Sequence, residues 1–203
     1  MIGIITGDII NSKKVKPSVW LKKLKNTLSN FGETPKNWSI FRGDSFQIEV
    51  SNAADLLDVA FQIKAAIKTV KGLDVRLSLG IGEKTYTSQK ITQSNGSAFV
   101  RSGELIEDLK KLKINLAINS GDEMFDNEIN LYLKLALIAM DNWLVAAAET
   151  VLLALQNRNM QQEDLGKILG IKQNAVSARL KRSKYDELLE LNKMYQLKLS
   201  HLQ

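Results

Sequence analysis

Residues 41–47 set two predicted strands side by side, and this stretch constrains the fold more than any other in the sequence. Residues 38–41 and 46–50 alternate between apolar and polar side chains, as strands with one buried face do. Gly43 and Asp44 lie between them and form a strong hairpin signal, because both residue types tolerate a positive φ. The sequence therefore predicts a β-hairpin that carries Asp44 at its tip.

The first 120 residues alternate between strand-like and helix-like patterns. Outside the hairpin, strand-like runs occur at residues 1–5, 75–82 and 114–118. Apolar residues recur at helical spacing in residues 17–31, 53–70 and 97–111. The resulting order is β-α-β-β-α-β with a further helix and strand, which predicts an α+β fold of the ferredoxin-like, split βαβ type.

From Gly121 onward the strand signals stop and the patterns become helical. We therefore predict two domains, an α+β domain at residues 1–120 and an all-helical domain at residues 121–203. Residues 124–156 form one or two long helices in this prediction, with more apolar residues than one buried face requires. Two interpretations stay open: a linker buried against both domains, or a seam between the two copies of a homodimer.

Residues 161–180 resemble a helix-turn-helix segment. Gly166 would let two helices cross closely, Gly170 suits the left-handed residue of the turn, and Val176 would pack the second helix on the first. An outer face of polar and basic residues follows from this arrangement: Lys172, Gln173, Asn174, Ser177, Arg179, Lys181 and Arg182. Such side chains contact base edges and phosphates, which predicts binding to double-stranded DNA. The alternative is a helical hairpin whose basic face is only solvated.

The residue types present argue against several kinds of catalytic site. The chain has no Cys and a single His, His201, which argues against thiolate chemistry, a Ser-His-Asp triad and a multi-histidine metal site. No basic leader precedes the first predicted strand, and Lys134, Asp141 and Glu149 interrupt the most apolar region. We therefore expect a cytoplasmic protein without a membrane-spanning helix.

Two Gly-Asp pairs lie at the ends of predicted strands, Gly7-Asp8 after the first strand and Gly43-Asp44 in the hairpin. Carboxylates on two rigid elements supply the hard oxygen ligands that a divalent cation requires. Gly-Asp pairs are also common in turns for purely structural reasons, and this interpretation stays open.

The residues around these aspartates resemble the nucleotide cyclase fold, in which one metal-binding Asp ends the first strand and another lies in a Gly-Asp-x-Phe hairpin. The matching segments here are residues 7–10 and 43–46. The whole chain is more similar still to the SatD family, whose members share an opening Thr-Gly-Asp-Ile, a Gly-Asp-x-Phe-Gln hairpin and a Gly-x-Ala-Phe helix start. The last of these motifs corresponds to residues 96–99.

The resemblance to cyclases implies a site for Mg²⁺ or Mn²⁺ and a nucleotide. Asp8, the carbonyl of Ile9 and Asp44 would hold the metal, which would bridge triphosphate oxygens. The residues that follow Asp8 would contact the phosphates: Asn11, Ser12, Lys13 and Lys14.

The helix after the late strand departs from the cyclase pattern. Cyclases place an Asn and an Arg there, and Val100 and Glu104 occupy the matching positions. Arg101 is one residue away and would point about 100° around the helix. We therefore assign no catalytic residue from the sequence.

The sequence supports one leading hypothesis and two alternatives. The leading hypothesis is a transcription regulator in which a degenerate cyclase-like domain senses a metal or nucleotide and a homodimer binds a two-fold operator. The first alternative is a nucleotidyl cyclase or transferase that uses Asp8 and Asp44, with the helical tail directing it to nucleic acid. The second is a helical protein-interaction module fused to an inactive catalytic fold.

Overall fold

The computed structural model describes residues 1–202, which form five β-strands and eight α-helices. The strands are β1 (Ile2–Ile10), β2 (Trp38–Phe41), β3 (Ser45–Val50), β4 (Asp74–Gly82) and β5 (Leu116–Asn119). The helices are α1 (Pro17–Ser29), α2 (Leu56–Lys68), α3 (Ser97–Leu112), α4 (Glu123–Met140), α5 (Val145–Gln156), α6 (Gln162–Leu169), α7 (Gln173–Arg182) and α8 (Tyr185–Leu199). The predicted α+β class is confirmed.

The five strands form one mixed sheet in the order β2-β3-β1-β4-β5. β1 runs antiparallel to both of its neighbours, β3 and β4, whereas β4 and β5 are parallel. β1 therefore lies in the middle of the sheet. Its register places Asp8 opposite Ser45 on one side and opposite Arg76 on the other.

Two local details differ from the sequence-based prediction. β1 continues to Ile10, which pairs with Asp74, so Asp8 lies inside the strand rather than after it. In the hairpin the positive φ angles belong to Arg42 (52°) and Gly43 (89°). Asp44 is thus the residue that leads from the turn into β3, because Phe41 and Ser45 already pair with each other.

α2 is the central helix of the fold. Its side chains are buried almost all the way round, because the sheet covers one side while α1, α5 and α8 cover the others. α3 packs on the opposite face of the sheet, against β4, β1 and β5. α4 protects the outer edge of β5, where the amide of Asn130 accepts from the Ile118 N–H (2.8 Å) and donates to the Ile118 carbonyl (2.9 Å).

The helical half of the chain continues the same hydrophobic core, which extends from Ile5 to Leu199. The buried hydroxyl of Tyr195 on α8 donates to the carbonyl of Ala53 at 2.6 Å, next to the start of α2. Residues 124–156 form two helices, α4 and α5. Of the six apolar residues that are most prominent in this region, half are buried and half exposed: Leu133, Val151 and Leu155 are buried, and Leu135, Ile138 and Leu144 are exposed.

Within residues 1–202, no helix has both the length and the apolar character that crossing a membrane requires.

Candidate functional site

The two predicted aspartates lie close together at one end of the sheet. Asp8 is on β1 opposite Ser45, and Asp44 directly precedes β3. The carbonyl of Asp44 accepts a hydrogen bond from the N–H of Ile9 at 3.1 Å, which fixes the hairpin tip beside β1. The fold therefore brings together the three groups that the cyclase resemblance assigns to a metal.

Hydroxyl groups and one arginine contact the two carboxylates. Ser12 donates a hydrogen bond to Asp44 Oδ2 at 2.5 Å, and Ser45 donates a longer one to Asp8 Oδ1 at 3.4 Å. The guanidinium of Arg76 on β4 lies 3.7 Å from Asp8 Oδ2 and also donates to the carbonyl of Ile114 at 3.2 Å. Asp44 is held firmly, whereas the contacts of Asp8 are long.

Burial raises the pKa of Asp8, and the negative charge of Asp44 raises it further. The positive charges of Lys110 and Arg76 and the hydrogen bond from Ser45 lower the pKa only in part. The two carboxylates thus repel each other in a half-buried place, and a divalent cation between them would remove that repulsion. No group of three or more His, Cys, Asp and Glu side chains arranged for a metal occurs within residues 1–202. A bound cation would therefore rely on this pair and on the Ile9 carbonyl.

We predict that Asp8→Asn stabilises the protein at neutral pH. The folded state favours the protonated form of Asp8, so ionisation of this carboxyl reduces stability as the pH rises above its ordinary pKa of 3.8. The penalty is complete above the raised pKa of the folded state and absent below 3.8. Urea unfolding of wild type and variant at a series of pH values tests this. The advantage of the variant should shrink toward zero as the pH falls, and a constant difference would contradict the prediction.

A basic surface pocket adjoins Asp44. The residues after β1 form a short 3₁₀ helix, Ser12–Lys14, and the left-handed residue before it, Asn11, donates to the carbonyl of Gly72 at 3.3 Å. The pocket of about 530 Å³ is lined by Ser12, Lys13, Lys14, Lys16, Arg42, Asp44 and Trp20, among others. The buried indole N–H of Trp20 has no hydrogen-bond acceptor among the described residues. Clustered ammonium and guanidinium groups suit the oxygens of a phosphate.

Gly7 and Phe46 bring the two Gly-Asp segments into direct contact in the fold. A Cβ atom at Gly7 would overlap the ring of Phe46, which is fully buried. The ring packs directly on the backbone of β1, so the glycine of one segment and the phenylalanine of the other fit against each other. The same contact serves the core and lies directly beside the pair formed by Asp8 and Ser45 in the register of β1 and β3.

Sequence reasoning missed two cations whose charges lower the pKa of Asp8, Arg76 and Lys110. Arg76 occupies a polar position of an alternating strand, and only the register of β4 against β1 places it opposite Asp8. Lys110 lies near the end of α3, and its influence on Asp8 depends on how that helix packs on the sheet.

The arginine of α3 does not reach the aspartate pair. Arg101 donates to the carbonyl of Ile81 at 2.6 Å, near the end of β4 that is remote from Arg76. At the usual rise of a strand this separation is on the order of 15 Å. Val100 and Glu104, at the positions where cyclases carry Asn and Arg, are exposed on α3.

A second candidate site lies on α6 and α7, which cross closely as predicted from their glycines. A Cβ atom at Gly166 would lie 2.6 Å from the carbonyl oxygen of Ile171, and Gly170 adopts the left-handed conformation with φ of 67°. The side chain of Val176 is fully buried between the two helices and the rest of the core.

Most of the predicted DNA-contacting side chains are exposed on or beside α7: Lys172, Gln173, Asn174, Ser177, Lys181 and Arg182. Arg179 differs, because it is half-buried and its guanidinium lies 3.4 Å from the carbonyl of Ala146 and 3.5 Å from Thr150 Oγ1, both on α5. Arg179 therefore contacts α5 and does not belong to the exposed row of side chains on α7, in contrast to the prediction from the sequence.

Comparison with protein-family models gives a match over most of the chain. A family model described as the SatD family matches residues 1–195, a range that includes both aspartates and all of α6 and α7. A search of curated proteins finds no match.

Proposed function

This chain belongs to the SatD family, and we propose that it is a DNA-binding regulatory protein whose α+β half responds to a metal ion or a nucleotide. In this proposal α6 and α7 are a helix-turn-helix, and residues 1–120 are a degenerate nucleotide cyclase-like domain. The observation that carries it is the exposed row of amide, hydroxyl and basic side chains on α7.

The row on α7 has the chemistry and spacing of a DNA-recognition helix. Gln173 and Asn174 lie in its first turn, the part of a recognition helix that contacts base edges. Ser177 and Lys181 follow at helical spacing on the same side as Asn174. No acidic residue occurs between Lys172 and Lys184, so the surface would not repel phosphates.

The strand order supports a ferredoxin-like, cyclase-like core. Without β5, the order is β2-β3-β1-β4, and β1 separates β3 from β4. This is the arrangement of two interleaved βαβ units that the split pattern describes.

The aspartate pair and the basic pocket support a ligand-sensing role. A divalent cation at Asp8 and Asp44 would neutralise the two carboxylates and bridge them to phosphate. Lys13, Lys14 and Arg42 would then contact the phosphates from the pocket side. Because Arg101 lies far from this pair, sensing is favoured over turnover.

Polar contacts joined by two short stretches of backbone, residues 114–115 and 141–143, lead from Asp8 to the end of α7. The contacts are Asp8 with Arg76 (3.7 Å), Arg76 with the Ile114 carbonyl (3.2 Å), Asn115 with Asp141 (3.0 Å) and Trp143 with the Ser183 carbonyl (3.1 Å). Ser183 directly follows α7, and Asp141 directly follows α4. A cation at Asp8 would compete with Arg76, and the altered position of Arg76 would bias this chain of contacts.

Fluorescence anisotropy on DNA tests the proposal. The probe is a duplex from the region upstream of the protein's own gene, compared with a random duplex at several salt concentrations. We expect Lys172→Ala/Lys181→Ala to weaken binding and to reduce the slope of log affinity against log salt by about one unit per lysine. Lys22→Ala/Lys25→Ala on α1 removes the same charge elsewhere and should change little. Wild type without salt-sensitive binding, or equal effects of the two variants, would overturn the proposal.

The enzyme alternative rests on the same aspartate pair. It requires metal-dependent release of pyrophosphate from a nucleoside triphosphate that is lost in Asp44→Ala. Such turnover would make the protein a nucleotidyl cyclase or transferase and leave the helical half as a targeting segment.

A further inference from the structure

Several exposed large apolar side chains lie on one helix and directly after it. Four of them follow each other along the outer side of α4, and we call them the α4 stripe: Met124 (83 % exposed), Leu131 (55 %), Leu135 (58 %) and Ile138 (69 %). Leu144, at 77 % exposure, continues the stripe beyond the helix end. Side chains of this size rarely gather at the surface of a monomer without a binding role.

Two grooves border the α4 stripe. One of about 670 Å³ lies between α4, the start of α5 and the end of α7, with Leu135, Ile138, Leu144 and Arg182 in its walls. The other, of about 380 Å³, lies between α4 and α8 and includes Leu135, Leu191 and Met194. The stripe is thus a ridge between two apolar depressions, a shape that another helix with similar side chains can fill.

We propose that the α4 stripe packs antiparallel against the α4 stripe of a second copy of this chain. Met124, Leu131 and Ile138 recur every seventh residue and Leu135 lies between the last two, which is the spacing of a helix–helix seam. α4 has 18 residues, and a helix of this size is about 27 Å long. A second α4 therefore covers the whole stripe.

The charges at the two ends of the stripe fit a second copy in the antiparallel direction. The acidic Asp122 and Glu123 are exposed at the start of α4. The basic Arg182 and Lys184 line the groove at the other end, where Lys184 also contacts Glu187 at 3.2 Å. An antiparallel pair places the acidic end of each copy beside the basic end of the other, whereas a parallel pair would place like charges together.

The location of the seam also relates the two α7 helices to each other. The groove beside the stripe includes Arg182 and Ser183 at the end of α7, so a copy seated there fixes the spacing of two DNA-contacting helices. The spacing of the two α7 helices matters only if the proposed function is right, whereas the seam itself does not depend on it. The two half-sites of a two-fold operator lie about 34 Å apart, and each half-site needs one such helix.

Sedimentation equilibrium of the full chain across the micromolar range tests the seam without DNA. We expect wild type to have twice the 22.7 kDa mass of one chain. Leu131→Glu/Ile138→Glu should weaken self-association more than about 100-fold, with an unchanged circular dichroism spectrum. The matched control Val19→Glu/Val100→Glu changes residues that are similarly exposed on α1 and α3, and it should remain a dimer.

A charge exchange tests the antiparallel direction. Glu123→Lys should weaken the dimer, and Glu123→Lys/Arg182→Glu should restore it. Wild type that stays a monomer, or a dimer that the stripe variant leaves intact, would overturn the proposal. DNA binding is measured in a separate experiment. If the stripe variant is a monomer and still binds a duplex with one half-site, the result supports both the seam and the proposed function. If wild type forms a dimer through the stripe but binds no DNA, only the proposed function is overturned.

Discussion

Replacing Asp74 and Asp141 together by asparagine is expected to lower the free energy of unfolding by about 3–5 kcal/mol. Both carboxylates contact the ammonium of Lys64, at 2.9 Å and 2.6 Å, and the Lys64 side chain has no exposed area. Asparagine keeps the shape of each side chain but removes its charge. The variant would leave a buried cation without a counter-ion, which costs far more than the loss of an exposed pair.

The chain offers a matched control for this buried cluster. Lys167 also contacts two carboxylates, Glu163 at 3.3 Å and Asp164 at 2.8 Å, but its side chain is 66 % exposed. Glu163→Gln/Asp164→Asn should therefore cost about 1 kcal/mol or less. Guanidinium unfolding of both double variants at neutral pH, followed by circular dichroism, measures the difference. Similar losses in the two variants would mean that the buried cluster is not held by charge.

The buried cluster joins elements from both halves of the sequence. Lys64 is on α2, Asp74 begins β4 and Asp141 follows α4, where its other carboxylate oxygen accepts from Asn115 at 3.0 Å. The domain boundary at residues 120 and 121 stays a prediction, but these bonds cross it. They connect the sheet and α2 to the end of α4, and the sensing role proposed above requires such a connection between the two halves.

Local sequence signals predicted most of the helices and strands. The side chain of Asn52 accepts from the N–H of Ala54 at 3.1 Å and caps the short 3₁₀ helix Ala53–Asp55 that leads into α2, a position that Asn commonly takes. The Gly96 helix start and the amphipathic run after it correspond to α3. Gly166, Gly170 and Val176 predicted the crossing of α6 and α7, because each residue type meets a steric requirement that can be recognised without tertiary structure.

Contacts between distant residues could not be predicted in this way. Lys64 lies among apolar residues of α2, and a lysine in that place is expected to extend to solvent. Its partner Asp141 is 77 residues away in the sequence, and nothing local connects them. The position of Arg76 opposite Asp8 and the contact of Arg179 with α5 could not be predicted for the same reason. Strand register and helix packing decide which residues a side chain contacts, and neither can be read from the local sequence.

Gly166→Val is expected to lower the free energy of unfolding by about 2–3 kcal/mol and to abolish specific DNA binding. A Cβ atom at this position would lie 2.6 Å from the Ile171 carbonyl oxygen, and the N–H of Ile171 donates to the Gly166 carbonyl at 2.9 Å. This hydrogen bond holds the turn close to α6, so the turn cannot move away from a larger side chain at position 166 without also moving α7. The helices would separate, and the exposed row on α7 would lose its fixed orientation.

Gly103 on α3 provides the control, because a Cβ atom there has no neighbour within 4 Å. Gly103→Val should change the free energy of unfolding by about 0.5 kcal/mol or less. The only expected effect is the slightly higher helix propensity of valine compared with glycine. Thermal unfolding and anisotropy on the upstream duplex measure both variants. If Gly166→Val retained specific binding, α7 would not need its close crossing with α6, and a helix-turn-helix would be the wrong description of this segment. Loss of binding with a preserved α+β half would instead locate DNA recognition in α6 and α7.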